Sequence, residues 1–526
     1  MISKKTKKEL LLIISFLIFS IVFVTTVKIL TGSFTYTFGS SDMHIYTAAQ
    51  MKILEPELFE NDVYFSEIFK TYPNTVNYFL AFLINLFGNM NMAYIFVNYL
   101  LFIIFWLGNY QLAKYIFRSK TTGIIFALLS AFGTKALFGT YWGIILGQVS
   151  TRDFVTAFVP LLLYYYLKYY KDKKKIMLLF FVIGVLTNIH MITAISLLGI
   201  LIVDIILKSE FKKIFFLITY FVSFFFGSIP FFVKGIILQK VSIPVEILHF
   251  RIGYQYMISL YFVFVLFFVP TCLFLLGISL KNQRNINKKD KTIVSMLIVT
   301  IIASIFLFLI SLKLPIISSF QFMRINKFII LFLLLYGSHF LSTLYTKKEK
   351  KLTIFTIICI FILLIPSSYI FLTLFPNTKT ILLYDFRGEK IQKESDSFEN
   401  IYYKHNKESI IEVIEWIEKN TPTTSKVFIN PHYSSLFRVF SKRSVYLSYK
   451  DGGNLILTRN AKIFNWYNEI IKVIQILEEN DKIELLNLLS GNVDYIILEQ
   501  TDKIEELELK FENEEFTIYY LPTDLN

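Results

Sequence analysis

Eight polar side chains stand out in a chain that is otherwise mostly apolar: Asp42, His44, Asp62, Arg152, Asp153, His190, Arg251 and Arg324. Their types cover a small set of chemistry. A carboxylate can take a proton from a hydroxyl, an imidazole can carry a proton or ligate a metal, and a guanidinium can hold a phosphate through two parallel hydrogen bonds. Asp42 is the sharpest of them, because Ser40-Ser41-Asp42-Met43-His44-Ile45-Tyr46 follows directly on an apolar segment and opens a helical stretch through Gln50. Asp62 lies further along, in Phe59-Glu60-Asn61-Asp62-Val63-Tyr64. Each residue also has a plainer reading. Asp42 and Asp153 suit helix N-caps, Arg152 and Arg324 with Lys327 suit helix ends at lipid headgroups, His190 suits a turn, and Asp62 suits an ordinary loop carboxylate. The histidines and acids show no regular metal-ligand spacing, so no metal site is assigned and a divalent ion stays open. Walker A, GxSxG, HExxH and GxGxxG patterns are absent.

The elements that must position these residues are membrane helices. Of 526 residues, 55% are hydrophobic, and the mean hydropathy is +0.56. The apolar residues fall in separated blocks of about 17–25, the length a helix needs to cross a hydrocarbon core roughly 30 Å thick. Lys4, Lys5, Lys7 and Lys8 precede an apolar run from Glu9 to Leu30, too long for the core of a cleaved leader, so this segment is expected to stay as an anchor. The net charge of +14 sits in short loops between apolar segments, which speaks for the positive-inside rule and against nucleic acid. The two cysteines, Cys272 and Cys359, lie inside apolar runs and read as packing residues.

Basic loops at Lys171 to Lys175, Lys208 to Lys213, Lys281 to Lys291 and Lys347 to Lys351 are expected in the cytoplasm together with the N-terminus. The spans that fit between them are 9–30, 92–117, 121–139, 153–170, 176–190, 191–208, 212–234, 256–280, 292–312, 327–345 and 352–375, about eleven in all. The run from Ile176 to Leu207 is split because both flanks are basic, with the turn near Thr187-Asn188-Ile189-His190. Segment 74–88 is read as interfacial or re-entrant. This topology leaves a long first external loop, 31–90, and places all eight polar residues at external span ends or in external loops, where they could meet in one cavity.

After Phe375 the composition changes. Pro376 closes the last span, charged residues become frequent, and short periodic runs return. The reading is therefore a polytopic α-helical membrane protein over 1–375, followed by a small C-terminal α/β soluble domain over 376–526 on the extracytoplasmic side. A helix is expected from Glu408 to Asn420, strands at Val427–Asn430, Val445–Tyr449, Val493–Leu498 and Thr517–Leu521, and helices within 460–490.

This organisation resembles the GT-C superfamily of membrane glycosyltransferases, which use polyprenyl-phosphate sugars. The resemblance is carried by the first span, the external loop with its early Asp42, Tyr72-Pro73 and Leu80 to Gly88, and the many spans before a C-terminal domain. That domain contains Glu415-Trp416-Ile417-Glu418-Lys419-Asn420-Thr421-Pro422, Pro431, Phe437-Arg438 and Lys442-Arg443, similar to the region after the spans in bacterial members. The resemblance implies Asp42 as base and Arg251 and Arg324 as holders of the donor phosphate. Beside these, the residues themselves suggest His44, Asp62, Arg152, Asp153 and His190 as shaping the sugar or acceptor site. The resemblance also implies a multi-pass protein of the cell membrane whose acceptor is an extracytoplasmic glycan, lipid or protein. The chain lacks a second acid beside Asp42, which some relatives have. The alternative class is a transporter or lipid-linked glycan flippase, for which repeated halves and a midplane polar cluster are the expected signs; neither is visible. A non-catalytic scaffold is a third reading.

Overall fold

The computed structural model describes residues 4–30, 41–71, 75–131, 133–135, 141–144, 146, 149–208, 214–234, 241–252, 288–313, 322–346, 406–504 and 507–522. The chain forms two compact units, each built from separated stretches of sequence. The first comprises Met1–Tyr36, Asn91–Pro230 and Gly253–Phe386; the second comprises Thr37–Met90, Phe231–Ile252 and Arg387–Asn526. Residues 37–90 are thus grouped by contact with the C-terminal region of the chain.

The first unit is helical: α1 (Lys4–Leu30), α5 (Met90–Phe117), α6 (Lys120–Ala131), α7 (Thr151–Tyr169), α8 (Lys173–Lys208), α9 (Ile214–Phe232), α11 (Lys288–Lys313) and α12 (Lys327–Thr346). Four helices are long and apolar enough to cross a membrane: Lys7–Val27, Met90–Phe117, Lys173–Leu207 and Arg324–Thr346. Shorter apolar helices at Lys120–Ala131, Phe216–Phe232 and Thr292–Leu307 accompany them. The expected eleven spans are not reached among the described residues, and 256–280 and 352–375 lie outside them. The most apolar 18-residue stretch of Lys7–Val27 has 11% of its residues buried, against 83% for Arg324–Thr346, so α1 presents its side chains outward and α12 is central. Leu11, Ile18, Phe19 and Val22 are exposed on α1, an arrangement that requires an apolar solvent.

Polar contacts fix the helices where apolar packing alone is nondirectional. Glu9 of α1 accepts hydrogen bonds from Tyr110 Oη at 2.9 Å and from Lys114, and pairs with Lys120. Trp106 Nε1 donates to Ser20 Oγ at 3.1 Å. Helices α8 and α9 cross at two glycines: a Cβ on Gly184 would lie 2.2 Å from the Phe224 carbonyl oxygen, and one on Gly227 2.3 Å from that of Phe181. Small residues allow this backbone approach, and Asn188 Nδ2 donates across it to the Gly227 carbonyl at 2.8 Å. Asp204, which stands alone in the sequence, accepts from Tyr166 Oη at 2.5 Å.

Two expectations need correction, and a third is met. The expected span 121–139 ends as a helix at Ala131; Gly133 at φ +63° turns the chain into a short hairpin of β1 (Thr134–Lys135) and β2 (Tyr141–Trp142). The pair 176–190 and 191–208 is present as two helical halves of α8 that meet at His190, whose φ of −147° and ψ of 92° are extended, within the stretch where the turn is expected. Residues 445–449 divide between a two-residue strand and the start of a helix.

The second unit holds α2 (Ser41–Leu54), α3 (Val63–Thr71), α4 (Thr75–Phe87) and α10 (Val245–Ile252). With them pack α13 (Lys407–Asn420), α14 (Ser434–Ser441), α15 (Tyr449–Thr458), α16 (Lys462–Glu479) and α17 (Lys482–Leu489). A five-stranded sheet runs β4 (Ser444–Val445), β3 (Lys426–Phe428), β5 (Tyr495–Glu499), β7 (Phe516–Tyr520), β6 (Glu508–Glu512). Its first three strands are parallel and the last two pairings antiparallel. Strand β6 has no counterpart among the expected strands, because its Glu and Lys residues hide an edge strand. Helix α13 has Ile410, Val413, Ile414 and Ile417 on one face, packed over Val427, Ile497 and Ile518 of the sheet. Asn406 caps it by accepting from Glu408 N at 3.2 Å.

Segment 74–88, read as interfacial, is α4. It buries Val76, Leu80, Ala81 and Leu83 and exposes Tyr78, Phe79, Phe82, Leu86 and Phe87. Two residues separate its end from the start of the candidate span α5.

Candidate functional site

The eight predicted residues fall four to each unit. In the first unit, Arg152 and Asp153 open α7, His190 marks the break in α8, and Arg324 lies in a 3-10 turn, Phe322–Asn326, leading into α12. The α7 cap is Ser150, not Asp153. Ser150 Oγ accepts from Asp153 N at 3.3 Å, while the Asp153 carboxylate accepts from Ser150 N at 3.3 Å and Ser150 Oγ at 2.9 Å. This reciprocal box occupies a fully buried carboxylate, with Arg152 Nε 3.9 Å away.

The break in α8 makes a second helix start inside the unit. His190 acts as its cap, with Nδ1 accepting from Thr193 N at 3.3 Å and standing 2.8 Å from Thr193 Oγ1. Lys327 Nζ donates to the same hydroxyl. An ammonium only donates, so Thr193 Oγ1 accepts from Lys327 and gives its own proton to Nδ1, which leaves the ring proton of a neutral His190 on Nε2. Arg152, Arg324 and Lys327 are all within electrostatic reach of His190. Lys327 is 2% exposed. Arg324 Nε is buried without a hydrogen-bond partner among the described residues, as are both amide atoms of the fully buried Asn326. Three cations therefore gather around one imidazole, and the carboxylate that acts on them, Asp153, is engaged in a helix cap. Of the three only Lys327 is fully buried, Arg152 and Arg324 being partly exposed, and among the described residues the local charge is more positive than Asp153 alone offsets.

In the second unit, Asp42 is the second residue of α2; its side chain lies outside the described residues. His44, half a turn later, is buried with Nδ1 3.4 Å from Ser435 Oγ and its ring edge-on to Phe440. Asp62 caps α3 by accepting from Phe65 N at 3.0 Å through Oδ1. Its Oδ2 accepts from Arg438 Nε at 2.7 Å and Val445 N at 3.2 Å. Arg438 also forks onto Asp451, Nη1 to Oδ1 at 3.0 Å and Nη2 to Oδ2 at 2.6 Å. Burial works to strip the Arg438 proton, but the two carboxylates more than offset it, and the guanidinium is held above its ordinary value. Burial pushes the Asp451 carboxyl up, against the pull of Arg438. Arg251 lies over the Tyr449 ring, its guanidinium carbon 4.8 Å from the centroid.

Sequence reasoning passed over Lys327 as a helix end, and missed Thr193, Arg438 and Asp451. Lys327 carried a usable signal as a cation opening an apolar helix. Among the described residues no group of three or more His, Cys, Asp or Glu is placed to hold a metal ion.

A family model for a domain of unknown function, DUF6798, matches residues 408–473, from α13 into α16. No curated protein matches the chain. Among solved structures, the chain is similar to the Archaeoglobus fulgidus oligosaccharyltransferase in the apo form, at 12% identity and a TM-score of 0.47, covering 93% of this chain and 69% of that one. The same enzyme tethered to an acceptor peptide containing the NVT sequon matches at 11% identity and 0.48, with the same coverage. The archaeal oligosaccharyltransferase AglB from that organism, in complex with an inhibitory peptide and a dolichol-phosphate, matches at 12% and 0.44, again over 93% and 69%. Likeness at this level transfers neither activity nor ligand. What the elements themselves define is a helical membrane protein with a C-terminal region of small sheet and helices.

Proposed function

We propose that the chain is an integral membrane glycosyltransferase of the GT-C type, moving a sugar from a polyprenyl-phosphate donor to an extracytoplasmic acceptor. The observation that carries this reading is the cation cluster of Arg152, Arg324 and Lys327 around His190. Its depth supports an outer-face location. Helix α7 has 19 residues and α12 has 20, each running from the cluster to a lysine-rich end, which at 1.5 Å per residue is about 28–30 Å. Helix α8 has 36 residues, lysines at both ends, and its break at the middle. Unbroken it would reach about 54 Å, far beyond a hydrocarbon core of roughly 30 Å. With the lysines inside, the cluster sits one membrane thickness away, on the outer side.

The chemistry follows from the leaving group. In a glycosyl phosphate the departing group is already a stable anion, so cations that hold it take the place of a general acid. The acceptor hydroxyl gives its proton to the Asp42 carboxylate as its oxygen bonds to the anomeric carbon; the bond from that carbon to the phosphate oxygen breaks, and the polyprenyl phosphate keeps the electron pair. Arg324, Arg152 and Lys327 hold the phosphate, and His190 offers Nε2–H. Arg251 remains a second candidate phosphate holder. Asp153 and Asp62 are taken up by a cap and an ion pair, and His44 packs against α14; in this reading they support the site rather than touch substrate. No described donor set assigns a role to a metal.

The flippase reading has one observation in its favour: a broken helix beside buried cations is also how transporters hold an anionic cargo. A single experiment separates the two. Protein purified in lipid is given labelled polyprenyl-phosphate sugars and cell-envelope acceptors, with Asp42→Asn and Arg324→Ala alongside. Transfer by the wild type, lost in both variants, is the expected result. Donor translocation without transfer overturns the enzyme in favour of the flippase, and transfer that survives Asp42→Asn rejects that base.

A further inference from the structure

We infer that Arg438 is a positioning residue and that the C-terminal domain exists to hold the base-bearing helix α2 in place; this rests on the proposed role of Asp42. The structure joins the two at two points on one helix, α14. At its start, Ser435 Oγ stands 3.4 Å from His44 Nδ1, in the same turn of α2 that carries Asp42. Further along, Val439 belongs to one apolar core with Ala48 and Ala49 of α2 and with Leu58, Phe59 and Phe65. Between these points Arg438 clasps Asp62, which in turn caps α3, and the guanidinium carbon lies 5.0 Å from the centroid of the Phe65 ring. Asp62, Arg438 and Asp451 are each at most 1% exposed.

The charges show where the joint can be cut. Arg438 and Asp451 form a complete bidentate pair within the C-terminal domain, so Asp62 is a second carboxylate on one guanidinium. A domain that needed only internal stability would be balanced without it. Asp62→Asn therefore opens the link between loop and domain while leaving no unpaired charge, and the Asn carbonyl oxygen can still cap α3.

The test measures Asp62→Asn in the full-length protein in lipid, by transfer kinetics and by amide hydrogen exchange. The expected result is a kcat lowered roughly ten- to a hundredfold with donor KM within about twofold, because displacement of a reacting group costs rate rather than binding. Exchange over 41–71 is expected to quicken at least about tenfold while that of α14 and α15 stays put. Arg438→Lys, which keeps the charge and loses the fork, is expected to fall in the same direction and guards against a folding failure of the first variant. Unchanged exchange over 41–71 in both variants overturns the inference, whatever the activity. A raised KM with unchanged kcat also overturns it and assigns Asp62 to substrate. Quickened exchange in a protein whose wild type transfers no sugar supports the joint and instead removes the glycosyltransferase reading.

Discussion

Arg438 and Arg324 are both arginines with buried nitrogens, and their surroundings are opposite. Arg438 spends its guanidinium on two carboxylates, each held within 3.0 Å. Arg324 has a buried Nε without a partner among the described residues, in a neighbourhood that also holds Arg152 and Lys327. A buried cation whose charge is met inside the fold is part of the architecture. One whose neighbours are further cations is, in the proposed reading, placed to meet an anion from outside. In that reading the same residue type serves as a joint in one unit and as a ligand site in the other, and the local charge sum tells them apart.

The largest effect that would break this comparison is on folding. Arg438→Met leaves two buried carboxylates facing each other and is expected to destabilise the second unit by about 3–5 kcal/mol, read by chemical denaturation. Adding Asp62→Asn and Asp451→Asn to it is expected to recover most of that loss. If the single variant unfolds no more easily than the wild type, the joint is not structural.

For Arg324 the expectation is reversed. Arg324→Ala relieves repulsion, so thermal stability is expected to hold or rise, while sugar transfer falls about 10²–10³-fold, the usual cost of removing one donor from a stabilised oxyanion. Arg324→Lys is expected to lie between, since a point charge replaces a fork. A stability loss as large as that of Arg438→Met would place Arg324 with the architecture.

How far these sites are legible in the sequence depends on the same difference. Arg324 and His190 are visible because a polar group inside an apolar run is conspicuous without knowing its neighbours. The Arg438 joint is not, because its partners stand 376 and 13 residues away and each looks ordinary alone: Asp62 as a loop acid, Asp451 as a first-turn acid. Thr193 is equally silent, since its hydroxyl gains meaning only once the helix breaks at His190. Periodicity does reveal α13 and the strands at 427, 495 and 517, whose apolar faces are set locally. It misses β6 and overruns α6, where an edge strand and a glycine turn depart from the hydropathy pattern.

A third prediction extends the rule from charge to apolar surface. Phe82 is 62% exposed on α4, among Tyr78, Phe79 and Leu86, on a helix without a charged residue. If the face is met by lipid, Phe82→Trp reconstituted in vesicles is expected to emit at short wavelength and be quenched by brominated acyl chains. Phe82→Ser is expected to leave the second unit folded while weakening its membrane seat by about 1.5–3 kcal/mol, the burial of one large apolar side chain. Water-like emission would detach α4 from the bilayer.

The smallest expected effect tests whether His432, rather than the Arg438 joint, sets how the second unit responds to acid. Burial, aided by the charges of Arg251 and Lys450, lowers His432 to about 4. A folded-state value below the unfolded one of about 6.5 means that the neutral ring contributes stability, fully present above pH 6.5 and lost as the pH falls toward 4. Asp451 acts with the other sign: burial raises its value, so its contribution is present at low pH and is lost as the pH rises. The two oppose each other on acidification, and the slope of stability between pH 6.5 and 4, at most about 1.4 kcal/mol per pH unit for one proton, reports which prevails. If His432 does, His432→Asn abolishes the acid loss, and any slope left behind has the reverse sign. A variant with the wild-type slope would remove His432 as the source of the acid loss, and since Asp451 acts with the opposite sign, the loss would have to arise outside both groups.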